Sequence, residues 1–391
     1  NAGARIAAPG EFTRRAFVNG KMDLAQAEAV ADVIASQSAA SHKVAMNQLK
    51  GGFSSELKSL RDKLLKMTSL LELELDFSEE DVEFASRSEL EALVNEALTH
   101  IGRLTESFSR GNAIKNGVPV AIVGATNTGK STLLNALLGE DRAIVSDIAG
   151  TTRDTIEETL NLGGVMFRFI DTAGIRETDE VVEKIGIERT FKKMDEASIV
   201  LGMTDLSRGE DSVLADAEYI WDKVNASSSG QEFLLLVNKC DVDGCESVDG
   251  EGHVAGYAGA GYGAGYADKT GKMAKIEATL REKGISAKLI PISAKTGYGL
   301  AALTETLAEI GRRITGDTDE TLVTNIRHYE ALVRAATALG RVRDGLQVAT
   351  LPPDLIAQDL REALYHLGEI VGEIGTEEVL GNIFRKFCIG K

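Results

Sequence analysis

Cysteine is scarce. Three thiols in 391 residues, Cys240, Cys245 and Cys388, cannot form a disulfide framework. That excludes a cystine-stapled secreted fold and fits a reducing, cytosolic compartment. Apolar runs of membrane-spanning length are absent, and no signal-peptide pattern opens the chain. A soluble, cytoplasmic protein without a membrane partner is therefore expected. Positive charge is also short: 43 Lys and Arg stand against 60 Asp and Glu, a formal net charge of −17. This argues against a broad nucleic-acid-coating surface but leaves room for a local basic patch. The first residue is Asn1, not Met, so the opening is expected to be a fragment of something longer. What remains is a hydrophobic content of 43%, that of a globular chain with room for two or three cores.

The period of the hydrophobic pattern divides the chain. From about Met22 to Ile114 it is helical, with Leu57, Leu60, Leu64, Met67 and Leu71 on one face and Asp23 as a candidate N-cap. Short apolar runs then follow: Val118–Gly124, Met166–Asp171, Ala197–Asp205, Phe233–Lys239 and Ala287–Ser293. Helical patterns lie between most of them, which predicts a mostly parallel sheet with helices on both faces. After about Asp317 the helical period returns, with Leu322, Leu332 and Leu339. The simplest packing inserts the α/β unit into an all-α helical domain. Between them, Asp249–Asp268 alternates Gly, Ala and Tyr and reads as a flexible surface loop.

The inserted unit carries the chemistry. "GATNTGKS", Gly124–Ser131, follows a strand and opens a helix, the setting a P-loop requires. Its glycines turn backbone N–H groups toward phosphate oxygens, Lys130 adds a cation, and the Ser131 hydroxyl is a Mg²⁺ ligand. Asn127, Thr128, Gly129, Lys130, Ser131 and Thr132 are thus candidate nucleotide contacts. "DTAG", Asp171–Gly174, ends the next long strand; Asp171 can hold Mg²⁺ through water, with Thr172, Ala173 and Gly174 near the γ-phosphate. "NKCD" supplies Asn238, Lys239 and Asp241, whose carboxylate accepts two hydrogens from guanine but would face a lone pair on adenine. "SAK", Ser293, Ala294 and Lys295, supports the base with a backbone N–H. This order predicts GTP. Cys240 is the variable filler of its motif. After DTAG stands Ile175, which cannot orient water as a glutamine does in Ras-like switches.

"SDIAGTTRD" (Ser146–Asp154), "DTAGIRETDEVVEKIGIER", the terminal "FCIGK" and "APGEFTRRAFVNGKMDLAQAEAVADVI" near the start resemble the bacterial tRNA modification GTPase family MnmE/TrmE. The resemblance covers all but the glycine–tyrosine stretch. It implies the end of an N-terminal folate-binding domain at 1–20, a helical domain in two parts at 21–116 and 317–391, and a Ras-like P-loop GTPase domain at 117–316. It also implies K⁺ held by Asn127, with Ser146, Ile148 and Thr151 closing over it, Thr152 on Mg²⁺ and Glu183 orienting water. Lys21 and Lys391 match positions near a reduced folate, 5-formyl- or methylene-tetrahydrofolate. Family partners are a second copy, tRNA and an FAD-dependent protein, MnmG/GidA; no flavin fingerprint occurs in this sequence. The family activity is K⁺-stimulated GTP hydrolysis coupled to 5-carboxymethylaminomethyl modification of the wobble uridine. The alternative is a nucleotide-switched RNA- or ribosome-binding GTPase without modification chemistry.

Two features stay open at this level. Cys388 is a lipid site, a passive tail residue, or a reactive thiol presented by docked Ile383, Phe384, Phe387 and Ile389, with Lys386 and Lys391 favouring thiolate. The last reading makes it catalytic. Arg327, Arg334 and Arg341, seven residues apart, form either a tRNA- or folate-facing stripe or a solubilising one.

Overall fold

A computed structural model describes residues 5–76, 86–141, 158–170, 194–226, 230–242, 271–316, 320–347 and 352–373. The chain divides into two units, Asn1–Lys115 with Thr315–Lys391, and Asn116–Ile314. An α/β unit is thus inserted into a helical one.

The helical unit contains α1 (Glu11–Val18), α2 (Leu24–Ala35), α3 (Ala39–Leu49), α4 (Gly52–Asp76) and α5 (Arg87–Asn116), which reaches the boundary. Past the insertion, α10 (Ile326–Leu346) and α11 (Pro353–Val371) complete it. Asp23 caps α2 in a reciprocal box: its side chain accepts from Gln26 N at 2.8 Å, and Gln26 Oε1 accepts from Asp23 N at 3.0 Å. The predicted face of α4, Leu57, Leu60, Leu64, Met67 and Leu71, is buried throughout. It packs with Leu90, Val94 and Ile101 of α5, Leu332 and Leu339 of α10, and Leu360 and Leu367 of α11. Each such leucine contributes about 1.5–3 kcal/mol by leaving water.

A polar cluster interrupts this core. Arg327 donates to both carboxylate oxygens of Glu28 at 3.0 Å, and also to the carbonyls of Glu369 (2.6 Å) and Ile370 (3.0 Å) near the end of α11. His328 Nε2 lies 2.7 Å from Glu28. Burial pushes the His328 ring below its usual range despite Glu28. For Glu28, burial alone would raise the carboxyl, but His328 and Arg327 outweigh it and hold it well below its ordinary value. Both shifts act in one direction. His328 is ordinarily half-protonated at 6.5 and Glu28 at 4.5, so the unfolded state takes up protons first. Stability should therefore fall as pH drops below 6.5, by up to about 1.4 kcal/mol per pH unit from the histidine, and again below 4.5. Thermal denaturation between pH 7.5 and 4 checks this. A melting temperature that is flat from pH 7 to 5 would contradict the neutral, buried histidine.

The arginine stripe lies on α10, but its cations are occupied. Arg334 pairs with Glu330 at 3.3 Å, and Arg341 with Asp359 (2.7 Å) and Glu362 (2.6 Å). Arg327 is thus drawn into the helical unit by Glu28, whereas Arg334 and Arg341 stay exposed on its surface.

The inserted unit has a sheet of β1 (Val118–Gly124), β2 (Glu158–Leu162), β3 (Val165–Ile170), β4 (Ile199–Asp205), β5 (Glu232–Asn238) and β6 (Lys288–Pro291). Its order is β2-β3-β1-β4-β5-β6. All pairings are parallel except β2 with β3. The edge strand β2 was not anticipated. Its hairpin turns on Gly163 and Gly164, both at positive φ, the backbone that a two-residue hairpin loop needs. Helices α6 (Lys130–Asp141), α7 (Glu210–Ala226), α8 (Lys272–Glu282) and α9 (Leu300–Thr315) cover the sheet. Alternation along β1 assigns the faces: Ala121 and Val123 join a core with Val213, Ala217 and Ile220 of α7 and Ile276 of α8. Phe167 of β3 lies instead under Gly311 of α9, where any Cβ would meet its ring.

Candidate nucleotide site

Strands β1, β4, β5 and β6 run parallel and end on one edge, so their following loops converge, the usual ligand position in an open α/β sheet. Three of those loops carry sequence-predicted residues. The loop from Gly124 to Lys130 links β1 to α6. Within it Lys130 Nζ folds back to donate to the Gly124 and Ala125 carbonyls, each at 2.8 Å. Burial lowers the pKa of this ammonium. Two neutral carbonyls are weak partners for a desolvated cation, and an arriving phosphate would replace them with charge. Thr128 is fully buried and its hydroxyl donates to Ala125 O at 2.9 Å. Gly129 has φ 100°, and a Cβ there would strike the Asn238 amide. Ser131 is half-buried and Thr132 exposed on the first turn of α6; Asn127 is exposed.

Asn238 joins the three loops. Its Nδ2 donates to Thr128 O at 2.7 Å, and its Oδ1 accepts from Ala294 N at 3.0 Å. The residue is 3% exposed. Sequence reasoning grouped Asn238 with the nucleotide contacts; its two observed bonds go to protein. The Ser293 N–H donates to Tyr298 O at 2.9 Å, and its hydroxyl accepts from Thr296 N at 3.3 Å. The Ala294 N–H is committed to Asn238. Asp241 and Lys295 are both exposed. Cys240 is buried, with its thiol 3.2 Å from Val237 O, in keeping with a filler.

One residue escaped the sequence reading. Asp205, the last residue of β4, is 2% exposed. Its Oδ2 accepts from Lys239 Nζ at 2.6 Å, and its Oδ1 from the Ser207 amide (3.0 Å) and hydroxyl (2.6 Å). Burial would raise this carboxyl, yet the bonds from Lys239 and Ser207 hold it below its ordinary value. A charged residue closing a fully buried strand is the signal that could have found it.

Ser146, Ile148, Thr151, Thr152, Asp171, Thr172, Ala173, Gly174, Ile175, Glu183, Cys388, Lys391 and the Asp249–Asp268 stretch lie outside the described residues. Lys21 is exposed on the turn after α1, in the helical unit. Among the described residues no group of three His, Cys, Asp or Glu could hold a metal ion. The donors present are neutral oxygens, the Ser131 hydroxyl and the Asn127 amide. These suit hard cations completed by phosphate and further chain ligands. No described helix is long and apolar enough to cross a membrane.

Comparison with known proteins shows the family of the chain. The family model "MnmE helical domain" matches residues 24–388. The tRNA modification GTPase MnmE of Parabacteroides distasonis is 50% identical over 392 aligned positions, covering 100% of this chain and 78% of its own. That of Bacteroides fragilis strain YCH46 is 50% identical, over 100% and 77%. The protein of the same name in Flavobacterium johnsoniae is 47% identical, over 100% and 77%. Among solved structures, the FeoB G-domain from Methanococcus jannaschii aligns with 50% of this chain and 97% of its own at 21% identity and a TM-score of 0.30, too loose to argue from. Identity near half, sustained along the whole chain and across both units, makes this chain a member of the MnmE family.

Proposed function

We propose that the chain is a K⁺-stimulated GTP hydrolase that serves 5-carboxymethylaminomethyl modification of the tRNA wobble uridine in the cytoplasm. It would act as a homodimer with the FAD-dependent partner MnmG. The supporting observation is the Asn238 brace, which ties the phosphate loop to the two loops that flank a base. Asp241 reads guanine, Lys295 N–H supports it, and Lys130 leaves the Gly124 and Ala125 carbonyls for the β- and γ-phosphates. Ser131 would hold Mg²⁺ with Thr152 and, through water, Asp171. Asn127 would hold K⁺ with Ser146, Ile148 and Thr151. Bound cations supply positive charge to the phosphate oxygens as hydrolysis proceeds. Glu183 orients the attacking water, a task Ile175 cannot perform. Reduced folate would meet Lys21 and Lys391, and Cys388 would act in the modification itself.

The two halves of the reading separate by mutation. Glu183→Ala should lower GTP turnover by two or more orders of magnitude, on the order of 10²–10⁴ for a lost proton-handling group, with GTP affinity nearly unchanged. Cys388→Ser should leave GTP hydrolysis intact and abolish wobble-uridine modification by the full-length protein with its partner. Unchanged turnover in the first variant removes Glu183 from the mechanism. Normal modified-uridine levels in the second return Cys388 to a passive tail and favour a pure nucleotide switch.

A further inference from the structure

Among the described residues only two that are not glycine adopt a positive φ, Asn127 at 63° and Lys239 at 64°. For a side chain with a Cβ this costs on the order of 1–3 kcal/mol and persists only where the surroundings enforce it. One belongs to the phosphate loop and the other to the base loop. A single buried carboxylate reaches toward both. Asp205 Oδ2 holds Lys239 Nζ at 2.6 Å. The same oxygen lies 3.8 Å from Arg208 Nε, and Arg208 Nη2 donates to Thr126 O at 3.1 Å, one residue before Asn127. Ser207, donating through amide and hydroxyl, fixes the other oxygen of Asp205 and so leaves Oδ2 aimed at the two cations.

We infer that Asp205 is a positioning residue for base selection: it holds Lys239 in its strained backbone, so that Asp241, two residues on, presents its carboxylate to guanine, and through Arg208 it steadies the phosphate loop. This rests on the proposed role of Asp241. The consequence is specific. Guanine offers Asp241 a ring N–H and an exocyclic amine, whereas hypoxanthine offers the ring N–H alone. A well-aimed carboxylate tells them apart and a poorly aimed one does not, so the GDP to IDP affinity ratio reports on aim, while general loosening weakens both alike.

Asp205→Asn is the informative variant. It keeps the shape and an oxygen for Ser207, but it turns an amide toward the Lys239 ammonium. Affinities for GDP and IDP should be measured by competition against a fluorescent guanine nucleotide, with melting temperature recorded to confirm folding. Wild type should prefer GDP. In Asp205→Asn, GDP affinity should fall roughly tenfold, the scale of a lost hydrogen bond to a charged group, and the GDP to IDP ratio should move toward one. Arg208→Ala should weaken both nucleotides and keep the ratio, because it cuts only the phosphate-loop arm. A folded Asp205→Asn protein with the wild-type ratio would overturn the inference alone. A wild type that binds neither nucleotide would overturn the reading of the site as well.

Discussion

Replacing KCl by NaCl should slow GTP turnover by this protein on the order of 10³-fold or more, and Asn127→Ala should erase the difference between the two salts. The magnitude is that of a positive charge set against the transferring phosphoryl group, on the order of 10³–10⁵ where an arginine supplies it. The residue directly after DTAG, Ile175, supplies neither a charge nor a hydrogen bond. Asn127 is suited to the task by where its backbone is held. It sits exposed in the phosphate loop, at a positive φ, between Thr126 tied to Arg208 and Thr128 tied to Asn238. Its amide oxygen is a neutral, hard donor of the kind that cations completed by phosphate accept. Loss of that one oxygen should leave the loop and nucleotide affinity largely in place, since the anchors are Thr128, Gly129 and Lys130. Steady-state phosphate release in the two salts, for both proteins, reads out the effect. Equal wild-type rates in K⁺ and Na⁺ would remove the ion from the mechanism.

Asp241→Asn should convert the protein from GTP to XTP preference. The carboxylate accepts two hydrogens from guanine; an asparagine amide presents one acceptor and one donor, which matches the oxygen that xanthine carries in place of the amine. Losing a charge-assisted bond and gaining a mismatched donor should weaken GTP binding by about 1–3 kcal/mol, roughly 5- to 150-fold. Asp241 is exposed, and no hydrogen bond or ion pair holds it among the described residues, so folding should be unaffected. Unchanged GTP affinity with no gain for XTP would place base recognition elsewhere.

Legibility in the sequence followed the range of the interactions. Local signals survived well. The Asp23–Gln26 box spans three residues, and the α4 face is a repeat within one helix. The strand runs were read from composition because buried parallel strands are continuously apolar. Strand β2 escaped because "ETLNL" places only Leu160 and Leu162 inward and shows polar residues otherwise; the Gly163-Gly164 pair was its one clear mark. The arginine stripe was correctly helical, but periodicity cannot reveal that Glu28, 299 residues away, occupies Arg327. Within the site, motif positions named the loops, not the ties between them. Asn238 finds its partners at sequence separations of 110 and 56, and Asp205 finds Lys239 at 34. Such contacts exist only once the sheet has brought four strand ends to one edge.

The measurement closest to the central claim is phosphate release from GTP and from ATP by the wild-type protein in KCl with Mg²⁺. A site whose base loop ends in Asp241 and is braced to its phosphate loop by Asn238 predicts steady hydrolysis of GTP, with ATP neither hydrolysed at a comparable rate nor competing. Equal use of the two nucleotides, or no release of phosphate from GTP, would contradict it.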